Sequence, residues 1–115
     1  MIQIKRVYEP PLKVDGYRIL VDRLWPRGLS KQVAKVDLWL KEVAPSDRLR
    51  KWFSHEVEKW EGFAEKYAAE LKDKVPYLAQ IKELEKQHGT VTLLFGARDA
   101  EHNQALVLWR VLRKK

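Results

Sequence analysis

Apolar side chains follow three different rhythms along this chain. In "IQIKRVY" Ile2, Ile4 and Val7 alternate with polar residues, while "YRILVDRLW" carries the denser run Ile19, Leu20 and Val21, and both predict strands. Between them "EPPLKVDG" holds two prolines and an Asp-Gly pair, which is turn chemistry and too short for a helical crossover. A hairpin or an irregular extended loop is the expected link. "TVTLLFG" is β-branched and then continuously apolar, the pattern of a strand covered on both faces.

The helical rhythm takes over in the middle of the chain. From Val57 to Lys74 the residues Trp60, Phe63, Ala64, Tyr67, Ala68 and Leu71 recur every three or four positions and define one apolar stripe. A second helix starts near Pro76 and runs with Leu78, Ile81 and Leu84 towards Gly89. The last segment, "AEHNQALVLWRVLRKK", is apolar over most of its circumference and ends in basic residues that complement a helix dipole. It is expected to pack directly on the sheet. Ser46 after Pro45 caps a short helix "DRLRKWF". "KQVAKVDLWLKEV" after Ser30 reads two ways, as a capped helix or, through "VDLWL", as an extended piece. This order predicts an α/β fold: a small open, mostly parallel sheet of about three main strands flanked by helices on both faces, in one domain over residues 1–115.

Composition narrows the function classes. There is no cysteine, so disulfides, thiolate catalysis and Cys-based metal sites are excluded, and His55, His88 and His102 are too scattered for a metal cage. No apolar run reaches the roughly 20 residues of a membrane span, and no signal peptide opens the chain, so a soluble cytoplasmic protein is expected. Walker, dinucleotide-glycine, nucleophile-elbow and zinc-protease motifs are all missing, and no cofactor or metal is expected. Ser30, Ser46 and Ser54 each suit a helix start better than a serine nucleophile. The net charge of +7 points to an anionic partner.

Candidate chemistry gathers where strands end. "GARDAEHNQ" lies between a buried strand and a buried helix, the usual place for a binding site in an open α/β sheet. Asp99 reads as the helix cap or as a base, with Glu101, His102 and Asn103 in the first turn. Arg98 offers a planar cationic fork for phosphate, or a partner for Asp99, Glu101 or Asp22. His102 reads equally as a hydrogen-bonded helix residue or as a proton shuttle. The second strand ends in "LVDRLWPRG", where alternation places Asp22 and Leu24 on one face and Val21, Arg23 and Trp25 on the other. If the two strands are neighbours, Arg23, Arg27 and Arg98 share one edge, with Asp22 either ion-paired to Arg98 or Arg23, or catalytic. Trp25 and Trp39 then serve as core or pocket wall. "LRKWFSHE" sets Arg50, Lys51 and His55 around Trp52 and Phe53, which reads as a solvated helix face anchored by two core aromatics or as a nucleic-acid contact.

Four ordered stretches, "KRVYEPP", "GYRILVDRLWPRGLSK", "WLKEVAPSDRLRKWFSH" and "LLFGARDAEHNQALVL", together resemble the YeaO-like family, domain of unknown function 488. The resemblance spans nearly the whole chain and implies a cytoplasmic single-domain α/β protein of bacteria or archaea, with no activity attached. It places emphasis on Asp22, Arg23, Trp25, Pro26, Arg27, Gly28, Lys41, Pro45, Ser46, Arg98, Asp99, His102 and Asn103. The functional expectation is a pocket for a phosphorylated or nucleotide-like small molecule. Arg23, Arg27 and Arg98 bind charge there, with Asn103 and Trp25 beside them, and a hydrolase would use Asp22, Asp99 and His102. The alternative is a basic nucleic-acid-associated module without catalytic activity, in which the polar cluster only fixes the fold.

Overall fold

A computed structural model describes residues 1–114. Four strands, β1 (Ile2–Arg6), β2 (Tyr17–Leu20), β3 (Leu38–Trp39) and β4 (Val91–Phe95), form one sheet in the order β1-β4-β2-β3, and every pairing is parallel. The fourth strand, two residues long, goes beyond the three expected. It comes from the ambiguous "VDLWL", because Ser30 caps only a single turn, α1 (Lys31–Ala34), before Lys35 turns left-handed at φ 48° and releases the chain into β3.

The first two strands are not a hairpin. Both pair with β4, which lies between them, so residues 7–16 must carry the chain back across one sheet face to the amino end of β2. Turn chemistry makes this strap short, with a 3-10 turn at Lys13–Asp15 and Gly16 at φ 66°. A Cβ on Gly16 would stand 2.2 Å from the Thr90 carbonyl oxygen, so glycine is required on both steric and conformational grounds.

The helices divide unequally between the faces. Ile19, Val21, Val91, Leu93 and Phe95 face a large cluster built with α2 (Asp47–Phe53), α3 (Trp60–Leu71), α4 (Val75–His88) and α5 (Gln104–Arg113). Leu20 and Leu94 face the other side, where Val7 of the strap, Ala34, Trp25, Leu29, Val36 and Trp39 make a thinner layer. All five residues of β4 are buried, as its continuous apolar run predicts. The Val57–Lys74 stripe becomes α3 preceded by a 3-10 turn at Val57–Lys59. α4 opens with Pro76 in its first turn and closes at Gly89, where φ is 81°. Ser46 caps α2 by accepting from the Leu49 N–H at 3.1 Å. Ser54 closes that helix instead of opening another, because it takes the left-handed conformation at φ 48°. No helix among the described residues is long and apolar enough to cross a membrane.

The sheet's outer edge at β1 is largely closed. Parallel alternation turns the backbone N–H and C=O groups of Ile2, Ile4 and Arg6 to the open edge, since those of Met1 and Val7 bond to β4. The Trp109 indole donates to the Ile2 carbonyl at 2.7 Å, and Glu9 engages both the N–H and the carbonyl of Arg6. These plugs blunt the edge against pairing with another chain.

Candidate functional site

The connection leaving β2 runs to the thin layer with α1, and the one leaving β4 runs to α5 on the opposite face. Adjacent strands whose connections diverge open a crevice at their carboxyl ends, the topological switch point of an open parallel sheet. A cavity of about 520 Å³ occupies it, and its lining includes Asp22, Arg23, Trp25, Arg27, His102 and Gln104. That volume falls within the roughly 300–1,000 Å³ of small-molecule sites.

At the floor, Asp22 is half-buried. Its Oδ2 accepts from the Gly96 N–H at 2.8 Å, and its Oδ1 accepts from Gln104 at the start of α5. Neither of the expected ion pairs forms, with Arg23 or with Arg98. Burial pushes the Asp22 carboxyl up to about 6, against the hydrogen bonds from Gly96 and Gln104. Gly96 keeps this contact open, for a Cβ there would lie 3.0 Å from Asp22 Oδ2.

The alternation expected of the second strand ends early. β2 stops at Leu20, so Val21 joins the helical cluster while Trp25 joins the thin layer, and the two do not share a face. Trp25 is a wall: its indole donates to the Leu29 carbonyl at 2.6 Å and meets Trp39 edge-on at 5.5 Å between centroids. Arg23 and Arg50 both pair with Asp47, at 3.0 and 3.1 Å. The Arg50 hydrogen bond in particular holds the exposed Asp47 carboxyl below its ordinary value. Arg27 is exposed, and its guanidinium has no hydrogen bond or ion pair among the described residues. Three arginines therefore border one cavity, but Arg50 replaces the expected Arg98.

Arg98 is exposed and lies outside the lining. Arg6, from the far side of β4, holds the carbonyls of Ala97 and Gly96 at 2.9 and 3.4 Å, and the chain leaves the crevice beyond that point. Asp99 is likewise outside the lining and does not cap α5. Asn103 does, accepting from the Leu106 N–H at 3.0 Å while its own amide donates to the Asp99 carbonyl at 3.0 Å. Asn103 lines the cavity as well as capping the helix, and Glu101, His102 and Asn103 precede the helix rather than forming its first turn. Asp99 closes a tight turn instead, accepting from the Glu101 N–H at 2.9 Å and the His102 N–H at 3.1 Å. These bonds, the Glu101 N–H first and the His102 ring next, hold its carboxyl below the ordinary value. His102 Nδ1 lies 2.8 Å from Asp99 Oδ2, and its ring meets Trp60 edge-on at 5.3 Å. Of the acid-base trio, the structure brings Asp22 and His102 to the cavity and leaves Asp99 behind His102 as its orienting partner.

Several lining residues are not read from the sequence as part of this site. Phe53, Phe63, Ala44 and Pro45 form apolar wall, and Arg50 and His55 arrive from the stretch read as a helix face. His55 follows Ser54 in a second left-handed step, φ 59°, a conformation non-glycine residues avoid and which recurs at functional sites. Tyr8 braces the rim from the strap after β1: its hydroxyl donates to the Arg27 carbonyl at 2.8 Å, and Arg6 stacks 4.7 Å above its ring centroid. Behind Pro45, Glu70 accepts from the Ser46 N–H and hydroxyl at 2.9 and 2.6 Å, and Lys74 donates to the Ala44 carbonyl at 2.7 Å. Burial lowers the Lys74 ammonium below its ordinary value. Among the described residues no group of three or more His, Asp or Glu side chains is placed to hold a metal ion.

Over residues 1–115 the chain matches a family described as "Inactive DUF488-N3 subclade". It is 46% identical over 112 residues to "Uncharacterized protein YeaO" of Escherichia coli strain K12, covering 97% of this chain and 96% of that protein. It is 40% identical over 113 residues to "Uncharacterized protein Rv3073c" of Mycobacterium tuberculosis strain H37Rv, covering 96% of this chain and 92% of that one. No solved structure matches.

Proposed function

The chain belongs to the YeaO-like DUF488 family, and from that premise we propose that its switch-point cavity binds a phosphorylated, nucleotide-like small molecule without turning it over. The observation that carries this reading is the cavity's two-ended chemistry. Arginines 23, 27 and 50 stand at its border, the aromatic and aliphatic side chains Trp25, Phe53 and Phe63 form its walls, and Asp22 sits at its floor. A phosphate suits the guanidinium end, where bidentate charge-assisted hydrogen bonds form, and a flat organic body suits the walls. The description of the matching subclade as inactive favours binding over catalysis.

Hydrolysis is the second reading, and the Asp99–His102 pair favours it, because a carboxylate behind an imidazole is how a general base is oriented. Thermal shifts with inorganic phosphate, a panel of nucleoside monophosphates and a short oligonucleotide test both, on wild type and Arg27→Ala. A mononucleotide at 100 times its dissociation constant adds about 2.7 kcal/mol, a shift of several degrees in a domain this size. The expected result is a shift with mononucleotides that Arg27→Ala abolishes while leaving the unliganded melting temperature in place. Chromatography of the same mixtures shows any product and so decides for hydrolysis. A shift confined to the oligonucleotide, falling steeply with salt, overturns the pocket reading in favour of nucleic-acid association through general charge.

A further inference from the structure

Asp22 is a carboxylate at a cavity floor with no cation beside it. Its two hydrogen-bond partners within the protein, Gly96 N–H and the Gln104 amide, are both neutral, and each oxygen accepts one of them. A carboxylate has about four acceptor positions, so two remain for a ligand. A cation would complete the charge, but the three arginines bordering the same cavity oppose one. What fits both ends is a molecule that is anionic where it meets the arginines and presents neutral paired N–H donors where it meets Asp22.

Resting on the nucleotide reading above, we infer that the cavity selects a base with two adjacent N–H donors on its pairing edge, which among the common bases is guanine. Guanine turns N1–H and the 2-amino group to one side, a spacing that matches the two oxygens of a carboxylate. Adenine and cytosine pair one donor with one acceptor, and uracil offers a single donor between two acceptors. A base carrying a ring acceptor would face Asp22 with lone pair against lone pair. Discrimination of this kind is large because a mismatched ligand leaves buried polar groups unpaired.

The replacement Asp22→Asn keeps the shape and removes the second acceptor. Its oxygen still accepts from Gly96, and its amide donates to the Gln104 side chain once that amide is turned, so the variant is expected to fold. Calorimetric titration with GMP, IMP and AMP then reads the inference directly. IMP lacks only the 2-amino group, so wild-type affinity is expected to descend from GMP through IMP to AMP. Each lost hydrogen bond to the carboxylate weakens binding by about tenfold or more. In Asp22→Asn the GMP advantage collapses, because GMP loses one acceptor while the spare amide N–H removes the lone-pair opposition to AMP. If GMP and AMP bind the wild type equally, or if the preference survives Asp22→Asn, the guanine inference falls and the nucleotide pocket stands. If none of the three binds folded wild-type protein, the pocket reading falls and takes the inference with it.

Discussion

Asp15 and Asp22 stand at the two ends of the same strand, one just before β2 and one just after it, and their surroundings differ in one ingredient. Asp15 is 2% exposed and meets two cations, Lys5 at 3.0 Å and Arg18 at 2.5 Å. Arg18, 4% exposed, spends its other donors on the Ala34 and Lys35 carbonyls, which ties the strap to α1. Burial raises the Asp15 carboxyl, but the Leu12 N–H, Lys5 and Arg18 outweigh it and hold the group below its ordinary value. Asp22 has neutral donors alone and is pushed up to about 6. One aspartate has its charge matched by cations within the fold, and the other has hydrogen bonds without a counter-charge. A carboxyl raised by burial in a cleft is the kind of perturbation that gathers at functional sites.

The difference breaks most visibly at Asp15. Truncation in Asp15→Ala leaves Lys5 and Arg18 desolvated without a counter-charge, and equilibrium denaturation should show a loss of about 3–5 kcal/mol. A loss below about 1 kcal/mol would mean that water reaches this cluster and that the contrast with Asp22 is false.

Asp22→Asn should move stability the other way. An acid whose folded value is raised from 3.8 to about 6 keeps its full contribution below the unfolded value and loses it as pH rises through that window. At pH 7 the charged Asp22 therefore costs up to ~3 kcal/mol, and the neutral amide should recover part of it. Melting temperatures of the two proteins should diverge between about pH 4 and pH 6 and then run parallel. A variant equally destabilised at every pH would show instead that the carboxylate is a structural acceptor.

The smallest effect is expected at Arg98. Exposed and outside the lining, it should change stability by less than about 0.5 kcal/mol when replaced by Ala, and mononucleotide shifts should persist in that variant. Loss of the ligand shift in Arg98→Ala, with Arg27→Ala unaffected, would place the anion site on the other loop.

Much of the fold is legible along the chain because its signals are local. The stripe of Trp60, Phe63, Tyr67 and Leu71 and the run of β4 reappear as elements with ends displaced by a few residues. The Ser46 and Ser30 caps work through an N–H three residues on, a distance any reader of sequence can see. The site was legible in part for the same reason: both strand ends carry charge, and adjacent parallel strands bring those ends together. Asp99 illustrates the limit. Its position before an apolar helix invites a capping role, yet Asn103 satisfies the same need four residues later and leaves Asp99 to hold His102.

Sequence alone determined the α/β class, the central strand, the helix faces and the set of charged residues near the strand ends, because hydrophobic periodicity and capping act over a few residues. Tertiary structure alone decided that β4 lies between β1 and β2, since strand order depends on which faces bury one another. That order put Gln104 on Asp22, put Arg50 at the cavity, and left Arg98 outside it. It also gave Asp15 its cations and withheld them from Asp22.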